Sequence, residues 1–280
     1  MHQGNSQSFL AALLLATFAW SWPAVSRAAL AIQPYDSYKR LTVTTSAGRF
    51  AVDLVTVSLK NPKLKVYTYA GTDGTNCYNR VCAVRPLKAY RDAKRGFAAI
   101  NGSYFCPRDY STCGPAGNYY WMVYNHRTKK LINEFQNKFN AGGGILTFAA
   151  NKSWHFYRVA KTFPGKSALQ QVDGSPLTAL MSNGPTLMDN GKYVLNPAVL
   201  DSKSRFTKSN RSGVAIRGTR LYLMVARKAT VEDLGRIMQK LGMQFGLNLD
   251  GGGSSALWYR GAYQAGPGRD LPNAIVVAEN

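Results

Sequence analysis

The chain is 280 residues long, 45% hydrophobic, and carries 35 Lys plus Arg against 14 Asp plus Glu, for a formal net charge of +21. That length supports one substantial domain with a continuous core, or two small ones. The basic excess is spread without blocks of like charge and points to an anionic partner or surface. With only three histidines in the chain, a histidine-rich metal centre is excluded.

Residues 1–28 read as a signal peptide rather than as part of the fold. The apolar run Phe9 to Trp20 is short for a bilayer span, and Ser26-Arg27-Ala28 puts small residues at the two positions a signal peptidase inspects. The start is thinly charged, with only the α-amino group and His2, so an uncleaved membrane anchor is the competing reading; either way the rest of the chain is exported. Removing the leader takes away only Arg27, so the basic excess belongs to the folded part. Export favours phosphorylated polysaccharide or lipid headgroups over nucleic acid as the anionic partner, and it is compatible with peripheral association at an anionic membrane surface. A basic surface kept only for solubility is the bland alternative.

Residues 29–48 read as an N-terminal segment and 49–280 as the domain, without internal repeat or linker. Stretches 40–45, 49–57 and 64–69 are rich in β-branched and aromatic residues and are separated by turn sequences, which predicts the start of a sheet. Cys77, Cys82, Cys106 and Cys113 follow. In an exported chain they predict disulfides, and although four cysteines allow three connectivities, short loops favour Cys77 to Cys82 and Cys106 to Cys113. Zinc is the weaker reading, because neither pair has CxxC spacing and neither His126 nor His155 lies near a cysteine. No metal and no cofactor are therefore expected.

A short helix is expected over Leu87 to Lys94, then a buried strand Phe97 to Ile100 running into Asn101-Gly102. Further strands are expected near 120–124, 144–149, 154–159 and 177–181, and a hairpin joins Gly213–Ile216 to Leu221–Val225. One helix is strongly signalled: Thr230 can cap it, Asp233 sits three residues later, Val231, Leu234, Ile237, Met238 and Leu241 share one face, and Gly242 stops it. The fold class is α+β, a strand-rich mixed sheet with few packed helices in a single domain.

That helix feeds Gly246-Leu247-Asn248-Leu249-Asp250-Gly251-Gly252-Gly253-Ser254-Ser255, a short apolar run that delivers a carboxylate into three glycines. Such a turn allows positive φ and close approach of a ligand to the backbone. Its N–H groups and the serine hydroxyls form a site suited to anions; an ordinary glycine-rich hairpin turn is the alternative. Neither histidine sits in a motif for a Ser/His/Asp triad, and carboxylates near motif-like sequence are few: Asp250, Asp270, Asp173 and Asp189. A conventional glycosidase needs two carboxyl groups, one of them to protonate a poor leaving oxygen. A reaction that expels phosphate does not, since cations and N–H donors can hold the departing charge.

Ala99-Ile100-Asn101-Gly102-Ser103-Tyr104-Phe105, Ser182-Asn183-Gly184-Pro185, Arg211-Ser212-Gly213-Val214-Ala215-Ile216, the Asn248-to-Ser254 unit and Arg269-Asp270-Leu271-Pro272-Asn273-Ala274-Ile275-Val276-Val277 occur in that order. Together they resemble the phosphodiester glycosidase family, to which the lysosomal enzyme that uncovers mannose 6-phosphate is related. The resemblance runs from about Arg49 to the end of the chain. Mild departures are Arg211-Ser212, where the family usually has Arg-Thr, and Ser103 at a commonly small position; Asp270 directly after Arg269 is less expected. The resemblance implies a pocket holding Asn101, Arg211, Asp250, Ser254 and Arg269. In that pocket Asp250 acts as nucleophile or water-activating base, Arg211 and Arg269 take the phosphate, and Asn101 meets sugar hydroxyls. Gly251, Gly252, Gly253, Ser254, Asn183, Gly184 and Tyr104 complete the expected substrate contacts, with turn or core roles as the alternatives for Asn101, Asn183 and Tyr104. The implied function is hydrolysis of a sugar 1-phosphodiester in a phosphorylated envelope glycan by a periplasmic or secreted protein. The rivals are a binding module for anionic envelope polymers and a phosphodiesterase that cuts the P–O bond.

Overall fold

The computed structural model describes residues 35–110, 112–135 and 143–279, and the expected leader at 1–28 lies outside them. In chain order, β1 (Asp36–Thr45), β2 (Gly48–Ser58) and β3 (Leu64–Ala70) precede the short helix α1 (Leu87–Asp92) and β4 (Ala98–Asn101). Next come β5 (Val123–Asn125), β6 (Lys130–Ile132), β7 (Gly144–Ala149) and β8 (Trp154–Tyr157). Helix α2 (Lys166–Asp173) then leads to β9 (Leu177–Asn183), β10 (Thr186–Asp189) and β11 (Lys192–Tyr193). Helix α3 (Ser202–Phe206) precedes the hairpin of β12 (Ser209–Arg217) and β13 (Arg220–Ala229), and α4 (Val231–Lys240) follows it. The chain closes with β14 (Phe245–Gly251), β15 (Leu257–Tyr259), β16 (Ala262–Ala265) and β17 (Asn273–Glu279).

The strands form a seven-stranded sheet ordered β1-β2-β13-β12-β14-β10-β11 and two five-stranded sheets, β16-β15-β4-β17-β3 and β6-β5-β9-β7-β8. The fold is strand-rich α+β. Neighbouring strands pair antiparallel throughout the described ladders, so β13 and β14, which flank β12 and are joined through α4, run parallel to each other. That makes β13-α4-β14 a split crossover with β12 inserted between its strands. Strand β1 pairs along its whole length with β2, so residues 36–45 are part of the largest sheet.

Both faces of that sheet are covered. Along β13, Leu221, Leu223 and Val225 enter the central core with Leu146, Phe148 and Met181 from the β7–β9 sheet. The alternate residues Tyr222, Met224 and Ala226 face the apolar stripe of α4, where Leu234, Ile237 and Met238 are buried. Period-two alternation thus splits one apolar run between two cores. Helix α4 begins as its sequence dictates: Thr230 Oγ1 accepts from Asp233 N at 3.1 Å while the Asp233 carboxylate accepts from Thr230 N at 2.9 Å, a reciprocal cap. Gly242, with φ of +69°, lies just past its end.

Candidate active site

The site forms where β14 stops following its neighbour. Between the pairs Arg211–Gly251 and Gly213–Asn248, β12 advances two residues while β14 advances three, so Leu249 and Asp250 both stand opposite Ser212. A bulge of this kind bends the strand and re-aims a side chain. The backbone of Asp250 is held from another sheet instead: its N–H donates to the Gly102 carbonyl at 2.9 Å, and its carbonyl accepts from Asn101 Nδ2 at 2.8 Å. Gly252, with φ of +61°, then opens a tight turn of Gly252–Ser254.

The Asp250 carboxylate is buried, with Oδ1 accepting from Gly251 N at 2.8 Å. Burial pushes its pKa up to about 6, against the opposing pull of the Ser254 hydroxyl, the Gly251 N–H and the charges of Arg269 and Arg211. Desolvation therefore wins over two cations and two donors.

Arg211 is buried beneath this turn. Its Nε donates to the Ala229 carbonyl at 3.2 Å, and one terminal nitrogen donates to the carbonyls of Thr207 at 2.7 Å and Lys203 at 3.2 Å. Among the described residues no carboxylate lies within ion-pairing distance of it, so a buried cation is compensated only by carbonyl dipoles and by Asp250 nearby. Arg269 enters from the loop before β17. It pairs with Asp109 at 3.1 Å, not with its neighbour Asp270, and lies 5.2 Å over the Tyr110 ring. The Asp109 side chain is 69% exposed, so this pair is weak and a ligand anion can replace it. Asp250, Gly251, Gly252, Gly253, Ser254, Arg211, Arg269 and Tyr104 all line one cleft of about 440 Å³.

The sequence profile of the phosphodiester glycosidase family matches residues 95–278, well over half of the chain. The chain belongs to the phosphodiester glycosidase family. No curated protein sequence matches it significantly. Among solved structures it is similar to the catalytic domain of zebrafish N-acetylglucosamine-1-phosphodiester alpha-N-acetylglucosaminidase, with a TM-score of 0.63 and 16% identity over 89% of this chain and 85% of that one. It is also similar to a hypothetical protein from Synechocystis, with a TM-score of 0.57 and 17% identity over 88% of this chain and 62% of that one. At such identities the likeness is one of fold.

Three residues expected in the pocket do not line the cleft. Asn101 is fully buried with Nδ2 on the Asp250 carbonyl and Oδ1 accepting from Ala256 N at 3.1 Å. Its amide holds β14 and the segment before β15 against β4, a structural use beside the contact with sugar hydroxyls expected from the sequence. Asn183 donates to the Asn248 carbonyl at 2.8 Å and accepts from Tyr104 N at 3.0 Å, and the Gly184 carbonyl accepts from Asn248 Nδ2 at 2.9 Å. Both belong to the layer under Tyr104. Neither histidine is in the cleft: His155 meets Asp173 at 2.7 Å and His126 packs 4.4 Å from the Tyr67 ring.

The sequence reading overlooked the α3 side of the cleft. Lys203, Ser204, Asp201 and Tyr110 line it, and Lys203 Nζ donates to the Tyr110 hydroxyl at 2.5 Å, which lowers the pKa of that phenol. The available signal was Asp201 three residues before Ser204, a helix-start pattern; Asp201 indeed accepts from both the backbone N and the hydroxyl of Ser204. Asn248, quoted in the motif without a role, donates to the Tyr104 hydroxyl at 2.7 Å. Burial pushes Tyr104 up to about 12, with the nearby Asp250 charge adding to it.

Proposed function

We propose that the protein is an exported hydrolase that cleaves the C–O glycosidic bond of a sugar 1-phosphodiester in a phosphorylated envelope glycan. The observation that carries this reading is a buried carboxylate with a raised pKa that shares its cleft with two arginines, one of them without an acid partner. Asp250 takes a proton from water as that water attacks the anomeric carbon. The C–O bond breaks, its electron pair leaves on the phosphate oxygen, and the products are a free sugar and a phosphomonoester. A group with a pKa near 6 is ionised at neutral pH yet basic enough to accept that proton.

The leaving phosphate needs charge stabilisation rather than a general acid, and Arg211 and Arg269 supply it. Asp201, the other carboxylate lining the cleft, caps the start of α3 with both oxygens on Ser204, so the base is Asp250, beside the two arginines. Export is supported by the disulfides Cys77–Cys82 and Cys106–Cys113, bonds that persist in oxidising compartments, and by the leader-like start of the sequence.

Hydrolysis in ¹⁸O-labelled water tests the bond that breaks. Label in the sugar supports the glycosidase; label in the phosphate instead assigns a P–O phosphodiesterase. Saturable binding of sugar phosphodiesters without turnover would favour a binding module.

A further inference from the structure

Arg269 stands between two clefts. Beyond the one that holds Asp250 lies a second of about 740 Å³, and Arg269, Phe105 and Pro107 line both. The second is walled by Val81, Ala83, Val84 and Ala116, with Arg108, Asp109 and Asp270 among them. Its walls are preformed. Cys82 N donates to the Ala116 carbonyl at 3.1 Å and Gly117 N to the Cys106 carbonyl at 2.7 Å, so the segment that follows the second disulfide loop ties the first loop to Cys106. Arg85 and Leu271 exchange backbone hydrogen bonds of 2.8 Å, which fixes the segment carrying Val84 to the segment carrying Arg269.

A phosphodiester carries its two organic groups on separate oxygens of one phosphorus. With the phosphate at Arg269 and the sugar beside Asp250, the other group leaves toward the second cleft. The charge there differs from the rest of the molecule. A chain with 35 basic and 14 acidic residues here sets Arg108 and Arg269 against Asp109 and Asp270, a balanced set with apolar walls. With Arg269 taken by the first phosphate, a second phosphate in this space would meet two carboxylates against Arg108 alone, whereas an uncharged carbon body would bury apolar surface. We propose that this second cleft receives the alcohol beyond the phosphate and selects a neutral alcohol with an apolar body. The inference rests on the sugar phosphodiesterolysis proposed above, and it places Val81, Ala83 and Val84 among the residues that set specificity.

The test uses the mature chain and one sugar 1-phosphate esterified with methanol, octanol or glycerol phosphate. The octyl diester is expected to exceed the methyl diester at least tenfold in kcat/KM, and the glycerol phosphate diester to gain nothing over methyl. Ala83→Trp, and separately the exposed Val81→Asp, should bring the octyl diester down to the methyl level while methyl turnover stays within twofold. Equal use of octyl and methyl diesters, or preference for glycerol phosphate, overturns the inference and leaves the glycosidase reading standing. An equal fall for all diesters in both variants also overturns it. Absence of turnover on every diester by the folded wild type overturns the glycosidase reading, and this inference with it.

Discussion

Asp250 carries two opposed demands. A buried carboxylate whose pKa is raised from 3.8 to about 6 binds its proton more tightly in the folded than in the unfolded state. Its contribution to stability is therefore complete below about pH 4 and is lost as pH rises through about 6. At pH 7 the ionised group destabilises the fold by about 3 kcal/mol, the free-energy equivalent of a shift of roughly two units. Asp250→Asn is accordingly expected to keep or raise the melting temperature at pH 7 while turnover falls about 10²- to 10⁴-fold. In the wild type, kcat/KM, which follows the unliganded protein, is expected to rise with pH and level off above about 6. Near-normal turnover in folded Asp250→Asn would remove the carboxylate from the chemistry. Asn101 belongs to the same scale but acts differently. Asn101→Ala strips partners from the Asp250 carbonyl and the Ala256 N–H. It should destabilise by about 1–3 kcal/mol and lower kcat more than it raises KM, because the buried groups lose hydrogen bonds and Asp250 loses its position. A variant changed only in KM would return Asn101 to the role of sugar ligand. The sequence made Asp250, Arg211 and Arg269 legible as neighbours in one cleft, because a charged side chain beside a glycine turn or a motif strand has few structural uses. Asn101 was not legible in the same way, since an amide can serve backbone or ligand equally well and only the fold decides.

At the scale of elements, the glycine turn shows how neighbouring glycines serve different ends. A Cβ at Gly253 would come within 2.6 Å of an Arg269 guanidinium nitrogen, while one at Gly252 meets nothing within 4 Å but stands on a φ of +61°. Gly253→Ala pushes only the end of a flexible side chain, so stability should hold within about 1 kcal/mol while the displaced arginine raises KM for phosphodiesters severalfold. Gly252→Ala should instead lower stability by about 1–2 kcal/mol, the usual penalty for a side chain in left-handed backbone. Denaturant titration beside steady-state kinetics separates the two, and an unchanged KM in Gly253→Ala would place the phosphate away from Arg269. The larger elements were legible for plain reasons. The β12–β13 hairpin has long apolar strands around Gly218, and α4 has a cap, a stripe and a stop. Strands β6, β11 and β15, of two or three residues, are too short to show a period. Helix α2 begins at Gly165 without a side-chain cap, and so lacks the usual start signal. The bulge that aims Asp250 was equally hidden, because it depends on the register of β12 against β14.

For the whole molecule, disulfides and charge are the features that reach beyond the site. Both loops close as their spacing predicts, Cys77 with Cys82 and Cys106 with Cys113, and denatured, unreduced protein should titrate no free thiol. Cys113 and Cys82 line the first and second clefts respectively, so reduction should impair turnover of phosphodiesters beyond what the loss of stability explains. The net charge of +21 acts at longer range. Exposed charges are screened over about 8 Å at 0.15 M ionic strength, whereas Arg211, buried against Asp250 and three carbonyls, is screened far less. Capture of an anionic substrate by the surface field should therefore weaken with salt, while the step in which the buried arginine holds the departing phosphate should not. The expected outcome is a kcat/KM for a sugar 1-phosphodiester that falls severalfold between low and physiological salt with kcat nearly constant. An artificial neutral glycoside, which has no charge to be steered, should show no such slope. Equal salt dependence in kcat would mean that the charges stabilising the leaving group are solvent-exposed, and Arg269, beside the exposed Asp109, would then carry that task in place of Arg211.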